Sequence, residues 1–247
     1  MYIIFDLDET LLNYKREVDD FTLCTLRYFQ NKGHHLVINT ARSLINTKKL
    51  IDIIKPDYSI LYGGSLIVDK NLNILFESAI DQKVLNSLVQ DIYDYAKVIS
   101  VETIDDIYSS EQSEKYKYFP FKEKKFTEKV YKFLFCMIND EVKNNLALKY
   151  NLNVVTYANL IWHRYVNKDV SKFLGITHLL KITGGTLADC IAFGDDYGDV
   201  EMINKCGEGV LMENASEEVK KMCFKKQCLD NNNFGVARFL LNYFKED

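Results

Sequence analysis

Short apolar runs that end in polar or acidic residues recur along the chain, separated by stretches with helical spacing. Tyr2–Phe5 predicts a first strand, and it leads directly into Asp6, Asp8 and Glu9. Residues 19–32 carry Phe21, Leu23, Leu26 and Phe29 at helical intervals, and Gly33 closes the pattern. Residues 36–38 predict a second strand running into Asn39 and Thr40. Residues 43–54 predict a helix stopped by Pro56, and residues 59–62 a third strand followed by Gly63-Gly64. Far downstream, residues 190–193 predict a further strand ending in Gly194-Asp195. A helix starting over 200–204, a short strand over 209–212 and a helix over 216–222 follow. Strands alternating with helices imply βαβ units and a mainly parallel sheet with both faces covered.

The middle of the chain reads differently. Residues 81–167 are richer in Lys, Glu and Tyr and include the charged stretch SEKYKYFPFKEKKFTEK over 113–129. A structureless loop of that length is improbable in a compact domain. The expectation is therefore a core made of residues 1–80 and 168–247, with a smaller α+β domain inserted over 81–167.

Composition narrows the classes. A chain of 247 residues with 47% hydrophobic residues can bury a sizeable core. The formal net charge is only −4, with both signs mixed, which gives no reason to expect a nucleic-acid groove or a membrane surface. No apolar run reaches the ~20 residues that span a bilayer. Six scattered cysteines and an N-terminus that reads as a core strand rather than a leader favour reduced, mostly buried thiols and a cytoplasmic location.

Candidate chemistry gathers where the strands end, which is where open parallel sheets bind ligands. Asp6 and Asp8 follow the first strand, Thr40 the second, and GDDYGD over 194–199 the fourth. Lys172, in VSKFLGI, opens a helix ahead of that last strand. Singly, each residue has an ordinary explanation as a helix cap, a turn former or a solvated charge. Together, Asp6, Asp8, Asp195 and Asp199 would converge on one sheet edge, and that much negative charge is costly without a cation. All-oxygen ligation is what Mg²⁺ prefers, and a lysine and a threonine nearby could bind phosphoryl oxygens.

DLDET, NTAR, VSKFLGI and GDDYGDVEM, in that order, resemble the four motifs of the haloacid dehalogenase superfamily of phosphohydrolases. The insertion resembles the C2 cap, and GEGVLMENASEEVKKM over 207–222 resembles the corresponding stretch of the Cof-like branch. The resemblance implies a Rossmann-like parallel core and a Mg²⁺-dependent phosphomonoester hydrolase acting through an aspartyl-phosphate. It implies Asp6 as nucleophile and Asp8 as general acid–base. It implies Thr40, the Ala41 backbone and Lys172 as phosphate binders. It implies Asp6, Asp8, Asp195 and Asp199 around the metal, with Arg42, Asp196 and Asn214 as further candidates near the site. Lys168 is the alternative to Lys172, and a helix-capping neighbour is the alternative for Asn214. The implied substrate is a small phosphorylated metabolite such as a sugar phosphate, a nucleotide or a phosphorylated cofactor. A phosphotransferase of the same fold and a non-catalytic phosphometabolite binder remain the competing classes.

The chain departs from the family pattern in four places. Relatives usually have Gly at the Glu9 position, Gly at Ala41, Asn at Gly198 and Asn-Gly at Gly63-Gly64. In capped relatives the inserted domain reads the leaving group. The candidates for that role are Trp162, His163 and Arg164, on a strand expected over 159–166, with Arg164 foremost. A solvated arginine beside a packed Trp162 is the plainer expectation, and the aromatic residues over 116–126 are expected in the core of the insert.

Overall fold

The computed structural model describes residues 1–137, 139–156 and 161–245. The chain forms two compact units. One comprises Met1–Ala41, Lys49–Phe76 and Ser171–Asp247, the other Arg42–Lys48 and Glu77–Val170.

The first unit begins with β1 (Tyr2–Phe5), α1 (Asp20–Asn31), β2 (His35–Asn39), α2 (Leu44–Ile54) and β3 (Tyr58–Leu61). Asp19 caps α1 by accepting the Thr22 N–H at 2.7 Å, one of the donors a helix start leaves without a partner. β4 (Leu66–Asp69) then turns back antiparallel onto β3, and β5 (Ile74–Glu77) lies beside it at the sheet edge. Neither strand is among those the sequence predicts.

The second unit contains α3 (Gln82–Ile92), β6 (Ala96–Glu102), β7 (Ile107–Ser109), β8 (Lys117–Tyr118), β9 (Lys132–Met137), α4 (Asp140–Lys149), β10 (Leu152–Thr156) and β11 (Trp162–Asn167). Its six-stranded sheet runs β10-β11-β9-β6-β7-β8, antiparallel except between β7 and β8. Leu85, Leu88, Phe121, Phe126, Phe133, Phe135 and Tyr165 lie in its own core. The aromatic residues expected there split: Phe121 and Phe126 are buried, whereas Tyr116 and Tyr118 are exposed. Arg164 corrects another expectation, because it is only 6% exposed rather than solvated, and Trp162 is half-buried. The strand starts at Trp162; Asn159 and Leu160, where it was expected to begin, lie outside the described residues.

The chain returns to the first unit with α5 (Lys172–Thr183), β12 (Cys190–Gly194), α6 (Val200–Lys205), β13 (Glu208–Met212), α7 (Glu217–Met222), β14 (Lys226–Cys228) and α8 (Gly235–Phe244). The eight-stranded sheet has the order β14-β13-β12-β1-β2-β3-β4-β5 and is parallel from β14 to β3. β1 and β12 are buried along their whole length, as the unbroken apolar runs require of central strands covered on both faces. On one face Ile4, Val37, Ile60 and Ala192 pack with Phe173, Ile176 and Leu179 of α5 and Met202 of α6. On the other, Phe193 meets Phe239 of α8, and Phe29 of α1 meets Phe244. In register, Phe5 lies opposite both Phe193 and Ile38, so β1, β2 and β12 end at one level. This alignment sets the residues just beyond them side by side. All six cysteines are free; Cys190 and Cys206 are buried, Cys24 is exposed and the other three are half-buried.

Candidate active site

Asp6 leaves β1 still in extended conformation and donates its N–H to the Phe193 carbonyl at 3.2 Å. The chain then makes one wide turn over Leu7–Leu11, closed by the Leu12 N–H on the Leu7 carbonyl at 2.9 Å. Asp8 stays extended, at φ −67° and ψ 130°, and Glu9 goes left-handed at φ +56°. That conformation explains why glycine suits the Glu9 position: an L side chain there costs about 1–2 kcal/mol. Asp6 is buried, whereas Asp8 and Glu9 are exposed.

Lys172 reaches the same place from α5. Ser171 caps this helix by accepting the Leu174 N–H at 3.0 Å. A close approach brings the cap in. Gly64 sits at φ +113°, and a Cβ there would lie 2.3 Å from the Ser171 carbonyl oxygen. Asn39, at the end of β2, donates from its side chain to the Lys172 carbonyl at 3.0 Å. The lysine side chain is buried, with Nζ 3.0 Å from Asp6 Oδ1 and 2.6 Å from Asp199 Oδ1. Burial works against its charge, but Asp199 and Asp6 outweigh that and raise its pKa above the usual lysine value.

The loop after β12 supplies the remaining carboxylates. Asp199 is fully buried, and its second oxygen accepts the N–H groups of Asp195 at 3.2 Å and Asp196 at 3.1 Å. A side chain at Gly194 would collide with it, since a Cβ would stand 2.4 Å from Asp199 Cβ. Asp199 thus has both oxygens engaged. Asp195 accepts the Thr10 hydroxyl at 2.5 Å. Asp196, half-buried, accepts the Tyr197 N–H at 2.8 Å and caps the turn.

Asp6, Asp195 and Asp199 each present a carboxylate oxygen within 4.8 Å of the others. Burial first, then Asp6 and Asp199, push the Asp195 carboxyl up to about 8. Burial, eased by Lys172 and reinforced by Asp199, also holds Asp6 well above the usual carboxylate range. Lys172 contacts Asp6 and Asp199 of this cluster, and both Asp6 and Asp195 are still held above the ordinary carboxylate value. An oxygen-rich, buried set with raised carboxyl pKa values fits a hard divalent cation such as Mg²⁺.

The other sequence candidates fall as follows. Thr40 is buried; its N–H donates to the Ile60 carbonyl and its carbonyl accepts the Gly63 N–H. Ala41 is half-buried. Arg42 and Arg164 belong to the second unit. Asn214 stands two residues before Ser216, which caps α7, and its amide donates to the Glu9 carbonyl at 2.7 Å. Lys168 also belongs to the second unit. The sequence reading gave no role to Thr10, Asn39 or Asn231. Thr10 stands inside the first motif and Asn39 opens the second, so position could have pointed to both. Asn231, in an Asn-rich loop near the C-terminus, carried no such signal.

The family model of the haloacid dehalogenase-like hydrolases matches residues 3–240, and the chain belongs to that family. It is 29% identical to a candidate phosphatase of Haemophilus influenzae, over 99% of this chain and 97% of the relative. It is 26% identical to a 5-amino-6-(5-phospho-D-ribitylamino)uracil phosphatase of Bacillus subtilis, over 89% of this chain and 86% of the relative. The solved haloacid dehalogenase-like hydrolase of Bacteroides thetaiotaomicron superposes with a TM-score of 0.84 at 24% identity, covering 98% of this chain and 99% of that one.

Proposed function

We propose that this haloacid dehalogenase-like hydrolase is a Mg²⁺-dependent phosphatase that cleaves a small phosphorylated metabolite through an aspartyl-phosphate on Asp6. The observation that carries the proposal is Lys172, buried and within 3.0 Å of Asp6, beside the cluster of Asp6, Asp195 and Asp199. Lys172 favours the ionised Asp6 carboxylate and offers its ammonium to a phosphoryl oxygen. Asp6 and Asp195 would hold the metal, and Asp199 serves by fixing Lys172 and the Asp195 backbone. Mg²⁺, when bound, would screen the phosphoryl charge from the approaching carboxylate.

In the first half-reaction an Asp6 oxygen bonds to phosphorus and the ester oxygen leaves with its bonding pair. Asp8, exposed two residues along, gives that oxygen a proton. In the second, Asp8 takes a proton from water, whose oxygen attacks phosphorus and releases phosphate from Asp6. The Thr40 hydroxyl and the Ala41 backbone bind phosphoryl oxygens. Substrates are sugar phosphates, nucleotides or phosphorylated cofactors; the Bacillus relative, named for a phosphorylated ribitylamino compound, supports that class.

Phosphate release from a panel of such monoesters tests the reading. Turnover should require Mg²⁺, vanish in Asp6→Asn, and leave a trapped phosphoenzyme when Asp8→Asn meets substrate. Undiminished turnover by Asp6→Asn would overturn it.

A further inference from the structure

The turn that carries Asp8 is held from outside the motif by two asparagines close to the C-terminus. Asn214 Nδ2 donates to the Glu9 carbonyl at 2.7 Å. Asn231 Nδ2 donates to the Leu12 carbonyl at 2.7 Å and lies 3.5 Å from Glu9 Oε2. The Asn231 N–H donates to Asn214 Oδ1 at 3.3 Å, joining the two. The middle and the far end of the turn are thereby tied to one bracket. Asn231 is 4% exposed, so its amide is a buried polar group with specific partners, costly to leave without them.

The bracket is itself stiff. Asp230 accepts the N–H groups of Asn232 at 2.8 Å and Asn233 at 2.9 Å. Asn232 donates to Asn231 Oδ1 at 3.2 Å, and its own Oδ1 accepts the Tyr14 N–H at 2.9 Å. The Gly235 N–H donates to the Asp230 carbonyl at 3.1 Å, which closes the loop onto the start of α8.

We infer that Asn231, acting with Asn214, is a positioning residue for Asp8. Glu9 is left-handed without being glycine, so the turn does not hold its shape through local preference alone. The hydrogen bond to the Glu9 carbonyl fixes the peptide that follows that residue, and the bond to Leu12 fixes the far end. Asp8 lies between the β1 anchor and this bracket. Its exposed carboxylate points where the turn directs it. The inference rests on the proposed role of Asp8 as proton donor and acceptor.

A positioning role makes a specific kinetic demand. Misplacing a general acid hurts esters whose leaving oxygen needs a proton and spares those whose leaving group departs as a stable anion. Asn231→Ala should therefore slow phosphoenzyme formation from an alkyl phosphate, measured in a single turnover, by roughly tenfold or more while slowing that from p-nitrophenyl phosphate less than about threefold; the second half-reaction is common to both esters and stays outside the comparison. The Kd of each ester, read from the concentration dependence of that single-turnover rate, should change little. Asn214→Ala, which alters an exposed residue, should show the same selectivity more weakly, and it serves if Asn231→Ala does not fold. Asp8→Asn supplies the reference. Were Asp8→Asn itself to lack leaving-group selectivity in that single-turnover step, the role of Asp8 as proton donor would fall. Were Asp8→Asn selective while folded Asn231→Ala and Asn214→Ala lowered both substrates equally, or neither, the positioning role would fall and that of Asp8 would stand.

Discussion

Lys172 is the residue on which the site's electrostatics turn. It is buried against Asp6 and Asp199, both also buried, and removing it leaves two carboxylates facing each other without a cation. Breaking a buried charge pair costs about 3–5 kcal/mol, so Lys172→Met should lower the Tm of the metal-free protein by roughly 10 °C. Differential scanning calorimetry reads this directly; an unchanged Tm would mean that the lysine is not paired in solution. Gly194→Ala makes a separate demand. The new methyl would press on Asp199, which holds both Lys172 and the Asp195 backbone. Turnover should fall at least tenfold in a protein destabilised by about 1–3 kcal/mol, and a variant with native kcat would contradict the crowding. At this scale the sequence was informative where chemistry concentrates in short motifs. Asp6, Lys172 and Asp195 could be read because each follows or opens an element with a clear pattern. Thr10 and Asn231 could not be read for their contacts. Their partners, Asp195 and the Leu12 carbonyl, are remote in sequence and become neighbours only through the sheet and α8.

At the scale of elements, α5 is the part whose placement matters most, because its first residue is Lys172. It lies close to β3: a Cβ on Gly175 would stand 2.6 Å from Ile60 Cγ2. Gly175→Ala should push the helix away from the sheet and carry the lysine with it. The expected result is a fall in kcat larger than the loss of stability would explain. A variant that keeps full turnover, measured together with its denaturation midpoint, would show that the helix can shift without consequence for the site. Element legibility followed burial. The buried strands β1, β2, β3 and β12 announce themselves as unbroken apolar runs, and each was expected within a residue or two of where it lies. β5 and β14 are edge strands with exposed ends or mostly exposed residues, so neither alternation nor an apolar run marks them. α8 has the helical spacing Val236, Leu240 and its apolar face is buried, yet no element is predicted from the sequence for residues beyond 222.

For the molecule as a whole, the carboxylate cluster links stability to pH and to metal. Asp195 is pushed up to about 8 by burial and by its acidic neighbours, and Asp6 is raised by burial as well. An acid whose pKa is raised in the folded state binds its proton more tightly there than in the unfolded chain. The associated stability is fully present below the ordinary carboxylate value of 3.8 and is lost as pH climbs towards the folded value. Metal-free protein in EDTA should therefore lose Tm progressively between about pH 4 and pH 8. A divalent cation binds the ionised carboxylates and competes with those protons, so Mg²⁺ should raise the Tm more at pH 8 than at pH 5. Thermal scans at both pH values, with EDTA and with millimolar Mg²⁺, separate the two effects. A metal-free Tm that rises with pH, or a Mg²⁺ gain that is larger at pH 5, would mean that these carboxylates are ionised without help and that the cluster has no need of a cation.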